Sequence, residues 1–341
     1  MSSFSVCVLR RFVAAPCAWL AAVALVTQPT FIMAAERVAK SELPALPEAV
    51  ASFGGVISGD WLYVYSGHIG EAHAHSKKNL SQKFQRLNLS SAGAWEALPG
   101  GPGLQSVALV THGDAVYRIG GLSALNEPGA DADLVSVADF ERFDPAAKKW
   151  TKLQPLPAGR SSHDAVVADG KLYVVGGWNL GDDSETWYDH GLVFDLSTAD
   201  AQWEKLPPQP FERRALALAA HNGKLYAIGG MTSENKPSTE TDVYDIAAKT
   251  WSKGPNLPGQ GMAGFGTSAV AHDGKLYATT MDGNVCRLSD DGAKWEIVGK
   301  LEIPRFFHRL LPAQDGLLVV AGASHTHGHL DSIERFSPAA K

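Results

Sequence analysis

Asp169-Gly170-Lys171-Leu172-Tyr173-Val174-Val175-Gly176-Gly177 is a turn dipeptide, a β-rich run and a glycine doublet in succession. The phrase returns as Asn222-Gly223-Lys224-Leu225-Tyr226-Ala227-Ile228-Gly229-Gly230 and as Asp273-Gly274-Lys275-Leu276-Tyr277. Looser copies lie at Asp60-Trp61-Leu62-Tyr63-Val64-Tyr65-Ser66-Gly67, at Asp114-Ala115-Val116-Tyr117-Arg118-Ile119-Gly120-Gly121 and at Gly316-Leu317-Leu318-Val319-Val320-Ala321-Gly322. Taking Ser66, Gly120, Gly176, Gly229, Thr280 and Gly322 as the first doublet position, the copies step by 54, 56, 53, 51 and 42 residues. A period of that size marks units that bury their apolar faces only by stacking on one another.

A second phrase follows five of the doublets: Trp95, then Phe143-Asp144-Pro145 with Trp150, Phe194-Asp195 with Trp203, Tyr244-Asp245 with Trp251, and Trp295. Proline turns come next, as in Leu156-Pro157, Leu206-Pro207 and Leu257-Pro258. Each unit therefore reads as four short strands forming one sheet. The two phrases together resemble the kelch-repeat family of β-propellers over about residues 40–341. That resemblance implies an all-β, six-bladed kelch-type β-propeller, with glycine where backbones approach closely and tryptophan in the wedge between blades. Blade 5 departs from the pattern, with Thr280-Met281 in place of the doublet. The sixth unit stops at Arg335-Phe336-Ser337-Pro338-Ala339-Ala340-Lys341, before its outer strand. Residues Arg37 to Pro47 supply that strand, because Leu43-Pro44-Ala45-Leu46-Pro47 matches Leu153-Gln154-Pro155-Leu156-Pro157. The propeller is expected to be closed by this N-terminal strand, which removes an exposed sheet edge.

Residues 1–35 read as a signal peptide: Arg10-Arg11, the apolar run Phe12 to Val26, then Ala34-Ala35 before Glu36. Met33 stands where such sites usually carry a smaller side chain, which leaves an uncleaved anchor as the alternative. Cleavage would place residues 36–341 in the periplasm or outside the cell, with no membrane span. Cys7 and Cys17 would leave with the signal, so Cys286 remains alone and no internal disulfide forms. A chain of 341 residues buries enough surface to fold without metal or disulfide, so no cofactor is required for stability. The formal charge is -6, with 30 Lys+Arg against 36 Asp+Glu, which excludes a nucleic-acid surface. No oligomerisation surface stands out, and a monomer is expected.

From the second doublet position to the tryptophan the chain runs 28 residues from Gly67, 29 from Gly121, 26 from Gly177, 21 from Gly230 and 14 from Met281. Blades 1 to 3 thus carry long loops on one face, which the resemblance implies is the ligand face. Three groups there could do chemistry. His68, His73 and His75 follow the doublet of blade 1, and His325, His327 and His329 that of blade 6. Alternation on an extended chain would point them to one side, as a Zn or Cu site requires, with Glu71 and Asp331 as added oxygen ligands. Solvated polar loops are the plain alternative. Arg160-Ser161-Ser162-His163 and Arg305-Phe306-Phe307-His308 begin the innermost strands of blades 3 and 6, which face each other across the ring. With Arg213 and Arg214 they could form a cationic throat for a carboxylate or phosphate, or hold neighbouring blades together. Trp178 and Trp187, in the acid- and amide-rich blade 3 loop, suit sugar stacking or simple packing. His112, His221 and His272 recur beside hairpin turns and carry no function.

The family includes scaffolds as well as enzymes. An exported module binding a protein or carbohydrate ligand through its loops is the leading expectation. The alternative is a sugar-modifying enzyme similar to the exported kelch proteins that epimerise N-acetylneuraminate, with His163 or His308 moving the proton. Resemblance to the kelch copper oxidases would imply a cysteine-linked tyrosine beside copper. Cys286, on the short-looped blade 5, is far in sequence from every histidine cluster and argues against it.

Overall fold

Apolar residues in the second strand of each repeat come as runs rather than alternating, interrupted only by Arg118 in blade 2, so both faces of these strands must be covered. The structure, a computed structural model, describes residues 36–338 except 38, 41, 42, 92, 182 and 183. The signal peptide expected at residues 1–35 lies outside the described residues. Six antiparallel sheets form the blades of the propeller. Blade 4 shows the pattern, with strands Ala217–His221, Lys224–Ile228, Thr241–Asp245 and Thr250–Lys253 from the axis outward. The other innermost strands are Gly54–Ser58, Ala108–His112, Ser161–Ala168, Ala269–His272 and Arg309–Ala313.

Second strands are buried because each blade packs its faces against both neighbours. Tyr117, Ile119 and Phe140 of blade 2 share a cluster with Leu172, Val174 and Phe194 of blade 3. Trp203 closes the wedge edge-on to Phe140 at 5.2 Å, and its indole N–H donates to the Gln154 carbonyl of blade 2 at 2.9 Å. The bond is repeated by Trp150 to Pro99, Trp251 to Pro207 and Trp295 to Pro255 at 2.9, 3.3 and 3.0 Å. Trp95 donates to Ala45 at 2.9 Å, so the N-terminal segment stands where blade 6 would carry its own proline turn.

Closure follows. Ala39–Lys40 pairs antiparallel with Glu334 and Arg335 as the outermost strand of blade 6. Glu36–Arg37 runs parallel along Gly299 and Lys300, which adds a fifth strand to blade 5. Leu46 N–H to Asp331 O and Val50 N–H to Leu330 O continue the seam, at 2.8 and 3.1 Å.

Two expectations need correction. In blade 6 the doublet is Ala321-Gly322, so Gly322 occupies the second position. Ala321 has φ +51° and Gly322 +101°, matching +67° and +100° at Gly229 and Gly230. The left-handed residue is alanine here, as it is Ser66 (φ +55°) in blade 1, so reading glycine alone misplaced the blade 6 doublet by one residue. The blade 6 histidines also do not alternate on an extended strand. His325 and His327 lie in the turn between Gly316–Ser324 and Gly328–Phe336, and His329 lies on the returning strand.

Candidate functional site

At the entry to each innermost strand stands a residue whose backbone is left-handed: Ser52, Ser106, Ser162, Ala215, Gly266 and Phe307, with φ between +52° and +64°. That turn aims each N–H sideways at the neighbouring blade. Ser106 donates to Ser52 O, Ser162 to Ser106 O, Ala215 to Ser162 O, Gly266 to Ala215 O, Phe307 to Gly266 O and Ser52 to Phe307 O, at 2.6–3.2 Å. Six backbone hydrogen bonds thus close a ring around the axis and narrow the channel there.

Beneath this ring Arg309 of blade 6 reaches across the channel to Asp164 of blade 3, Nη1 to Oδ1 at 2.9 Å. Its other nitrogens donate to Phe53 O and Val107 O, both at 3.3 Å, while Asp164 Oδ2 accepts from Leu218 N–H at 2.9 Å. Sequence reasoning missed this pair. The signal was present, since Asp164 and Arg309 directly follow the two Arg-x-x-His motifs and carry opposite charges at one repeat position. The cavity of about 310 Å³ on the hairpin-turn side, lined by the innermost strands, includes both residues in its wall.

The throat expected from Arg160, Arg213 and Arg305 does not form, because these guanidinium groups turn into their own blades. Arg213, fully buried, pairs with Asp242 at 2.5 Å and donates to Gly229 O and Glu240 O at 3.0 and 2.7 Å. Arg305 pairs with Glu334 and donates to Ala321 O at 3.1 Å. Arg160 donates to His190 O at 3.2 Å and lies over the Tyr188 ring at 3.7 Å, and burial lowers its pKa to about 10. Arg118 of blade 2, not singled out from the sequence, pairs with Glu141 at 2.6 Å. His163 and His308 do line the axis, next to the ring residues. Burial first, then Arg160 and Arg309 for His163 and Arg305 and Arg309 for His308, holds both near a pKa of about 3 and so neutral. His308 Nε2 meets Thr279 Oγ1 at 2.8 Å.

Arg214 behaves differently. Its guanidinium stacks on Trp178 at 4.3 Å, with Trp187 at 5.7 Å and Phe265 at 6.0 Å. Trp178 and Trp187 meet edge-on at 5.2 Å because the blade 3 loop is a hairpin that pairs them directly. Trp187 Nε1 donates to Glu185 at 2.9 Å, and Trp178 Nε1 is buried without a partner. Among the described residues no carboxylate lies within ion-pair distance of Arg214. Its Nε also lacks a hydrogen bond, and burial lowers its pKa, partly offset by Glu185.

The histidines of blades 1 and 6 come together as expected from the blade order. His68, His73, His75, His325 and His329 line a cavity of about 550 Å³ with Gln105, Phe306 and Phe307. His327 lies outside that lining, bonded to Thr326 Oγ1 at 2.7 Å. His68 has both ring nitrogens engaged: Nε2–H donates to Ala74 O at 3.0 Å, so Nδ1 accepts from His329 Nε2–H at 3.1 Å. Burial lowers its pKa to about 4, and burial also lowers those of His75 and His329. His75 Nδ1 meets Gln105 Nε2 at 3.2 Å. Among the described residues no group of three or more His, Cys, Asp or Glu side chains is arranged to hold a metal ion.

The KLHDC2/KLHL20/DRC7 Kelch-repeats domain profile matches residues 52–280. Kelch repeat and BTB domain-containing protein 12 of Danio rerio is 26% identical over 66% of this chain and 37% of its own length. The chain thus spans little more than a third of that relative, and 37% likewise of the human protein of the same name. N-acetylneuraminate epimerase of Pasteurella multocida is 29% identical over 84% of this chain and 68% of its own length. The solved structure of YjhT superposes with a TM-score of 0.69 at 18% identity, covering 86% of this chain and 96% of that one.

Proposed function

Because the chain belongs to the kelch-repeat family of β-propellers, we propose that it is an exported, monomeric binding module that takes a carboxylate-bearing carbohydrate on its loop face. One observation carries this reading: Arg214 is a loop-face guanidinium stacked on tryptophan that, among the described residues, has no carboxylate within ion-pair distance. Arg213 and Arg305, by contrast, already have acids. A sugar acid offers such a site both a charge partner and an apolar ring face for Trp178 and Trp187. The axial histidines His163 and His308 are buried beside the hydrogen-bonded ring, where burial lowers their pKa to about 3. The large exposed apolar side chains Leu125, Met262 and Ile297 sit on separate elements, which supports a monomer. Among the described residues no helix is long and apolar enough to cross a membrane.

Arg214→Gln should weaken binding of N-acetylneuraminate or galacturonate at least tenfold while leaving the melting temperature within about 2 °C, since a charge-assisted contact is worth about 1.5–3 kcal/mol. Unchanged binding of both acids, or no binding by the wild type, would refute the reading. A second reading, an epimerase of acidic sugars, is favoured by the 29% identity to the Pasteurella enzyme. It requires that the protein speed interconversion of the sugar's epimers, followed by NMR.

A further inference from the structure

Arg214, Phe265 and Phe306 occupy one repeat position, the residue just before the hydrogen-bonded ring, in blades 4, 5 and 6. Blades 1, 2 and 3 place Ala51, Gln105 and Ser161 there. One side of the channel mouth is therefore cationic and aromatic, and the other is small or polar. The aromatic side is continuous. Trp187 meets Trp178 at 5.2 Å, Trp178 meets Arg214 at 4.3 Å and Arg214 meets Phe265 at 6.0 Å. Phe265 then meets Phe307 at 5.1 Å, Phe307 meets Phe306 at 5.2 Å, and Phe306 meets His325 at 5.0 Å on the rim of the histidine cavity. All of these side chains keep part of their surface in solvent.

Phe307 makes the arc continuous at a structural cost. It holds φ +52° where the equivalent residues are three serines, an alanine and a glycine. A bulky aromatic in that region is an outlier, and such strain collects at functional sites.

We propose that the loop face binds an acidic oligosaccharide of at least two or three units. Its carboxylate pairs with Arg214, and successive rings lie along Phe265, Phe307 and Phe306 toward the histidine cavity. Pyranose rings present an apolar face to such a wall and turn hydroxyls to the polar side, where Gln105 and the imidazoles donate and accept. A chain of rings suits an arc crossing four blades better than a single sugar does. This rests on the Arg214 reading above and extends it from one subsite to several.

A glycan array of acidic and neutral oligosaccharides identifies the best-bound acid, and calorimetry then compares its mono-, di- and trisaccharide. Affinity should rise about tenfold or more across the series. Phe307→Gly removes the ring while glycine keeps the left-handed backbone, so it should still fold, keep monosaccharide affinity and abolish the gain with length. Phe306→Ala should also lose that gain. Length-independent affinity in the wild type, or a gain that survives Phe307→Gly, overturns the oligosaccharide site and leaves the Arg214 reading standing. Failure of every acidic glycan, or tighter binding of an acidic aromatic peptide such as Asp-Phe-Asp-Phe, overturns both.

Discussion

Arg309→Met removes one guanidinium and keeps most of the stem, which isolates the bridge across the channel. Three acceptors lose their donor: Asp164 Oδ1 at 2.9 Å and two carbonyls at 3.3 Å. Breaking a fully buried pair costs about 3–5 kcal/mol because the remaining charge is uncompensated. The side chains here are 20% and 10% exposed, and Asp164 keeps its bond from Leu218 N–H, so the lower end, about 3 kcal/mol, is expected. For a domain of this size that corresponds to a melting temperature lower by about 6 °C, or an equivalent shift in urea midpoint. Asp164→Asn with Arg309→Met removes the stranded charge while the amide oxygen still accepts from Leu218. The double variant should recover all but about 1 kcal/mol. Equilibrium urea unfolding by tryptophan fluorescence measures both. A cost below about 1 kcal/mol for Arg309→Met, or a double variant as unstable as the single, would refute the cross-channel bridge as a stabilising element.

Acid should weaken the fold before most carboxylates titrate. His163, His308 and His68 have folded pKa values of about 3, 3 and 4 against 6.5 unfolded. The unfolded chain therefore takes up protons that the native state refuses, and stability falls as pH drops below 6.5 by up to about 1.4 kcal/mol per unit per group. Urea midpoints at pH 7.5 and 5.5 should differ, and His163→Gln should reduce the difference; equal midpoints would contradict the burial argument. Arg213→Ala should lower stability by about 3 kcal/mol, the low end for a broken buried pair because Lys253 still meets Asp242 at 3.1 Å, in contrast to Arg214→Gln, and unfolding curves of the two variants side by side separate the structural arginine from the one proposed to bind ligand.

The fold was legible because its determinants are local and repeated. The turn dipeptide and the buried second strand recur from blade to blade, and the tryptophan follows in five of the six, each for a local physical reason. Even closure could be read, since Leu43-Pro44-Ala45-Leu46-Pro47 copies a turn whose job is to accept an indole N–H, and Trp95 finds it. What failed was register in blade 6, where alanine adopts a glycine conformation. Ala321 stands left-handed with nothing in its side chain to announce it. The histidine spacing misled for a related reason: where a hairpin turns back decides whether alternate residues share a face, and Thr326 gives little sign of a turn.

Side-chain direction is the deeper gap, yet part of it was written in the repeats. Glu141, Asp242 and Glu334 each stand two residues before the aromatic of the second phrase, Phe143, Tyr244 and Phe336, and each holds a buried arginine: Arg118, Arg213 and Arg305. An acid at that position means that its blade spends its arginine internally. Blade 3 has Leu192 there, before Phe194, and Arg160 accordingly rests on Tyr188 instead of a carboxylate. Arg214 falls outside this rule, because the carboxylate of Asp242 is already shared between Arg213 at 2.5 Å and Lys253 at 3.1 Å. The second arginine of the pair is left to face the mouth of the channel. An Arg-Arg dipeptide in a blade with one matching acid is therefore the sequence signal for an arginine not spent inside its blade, the one proposed above to meet a ligand.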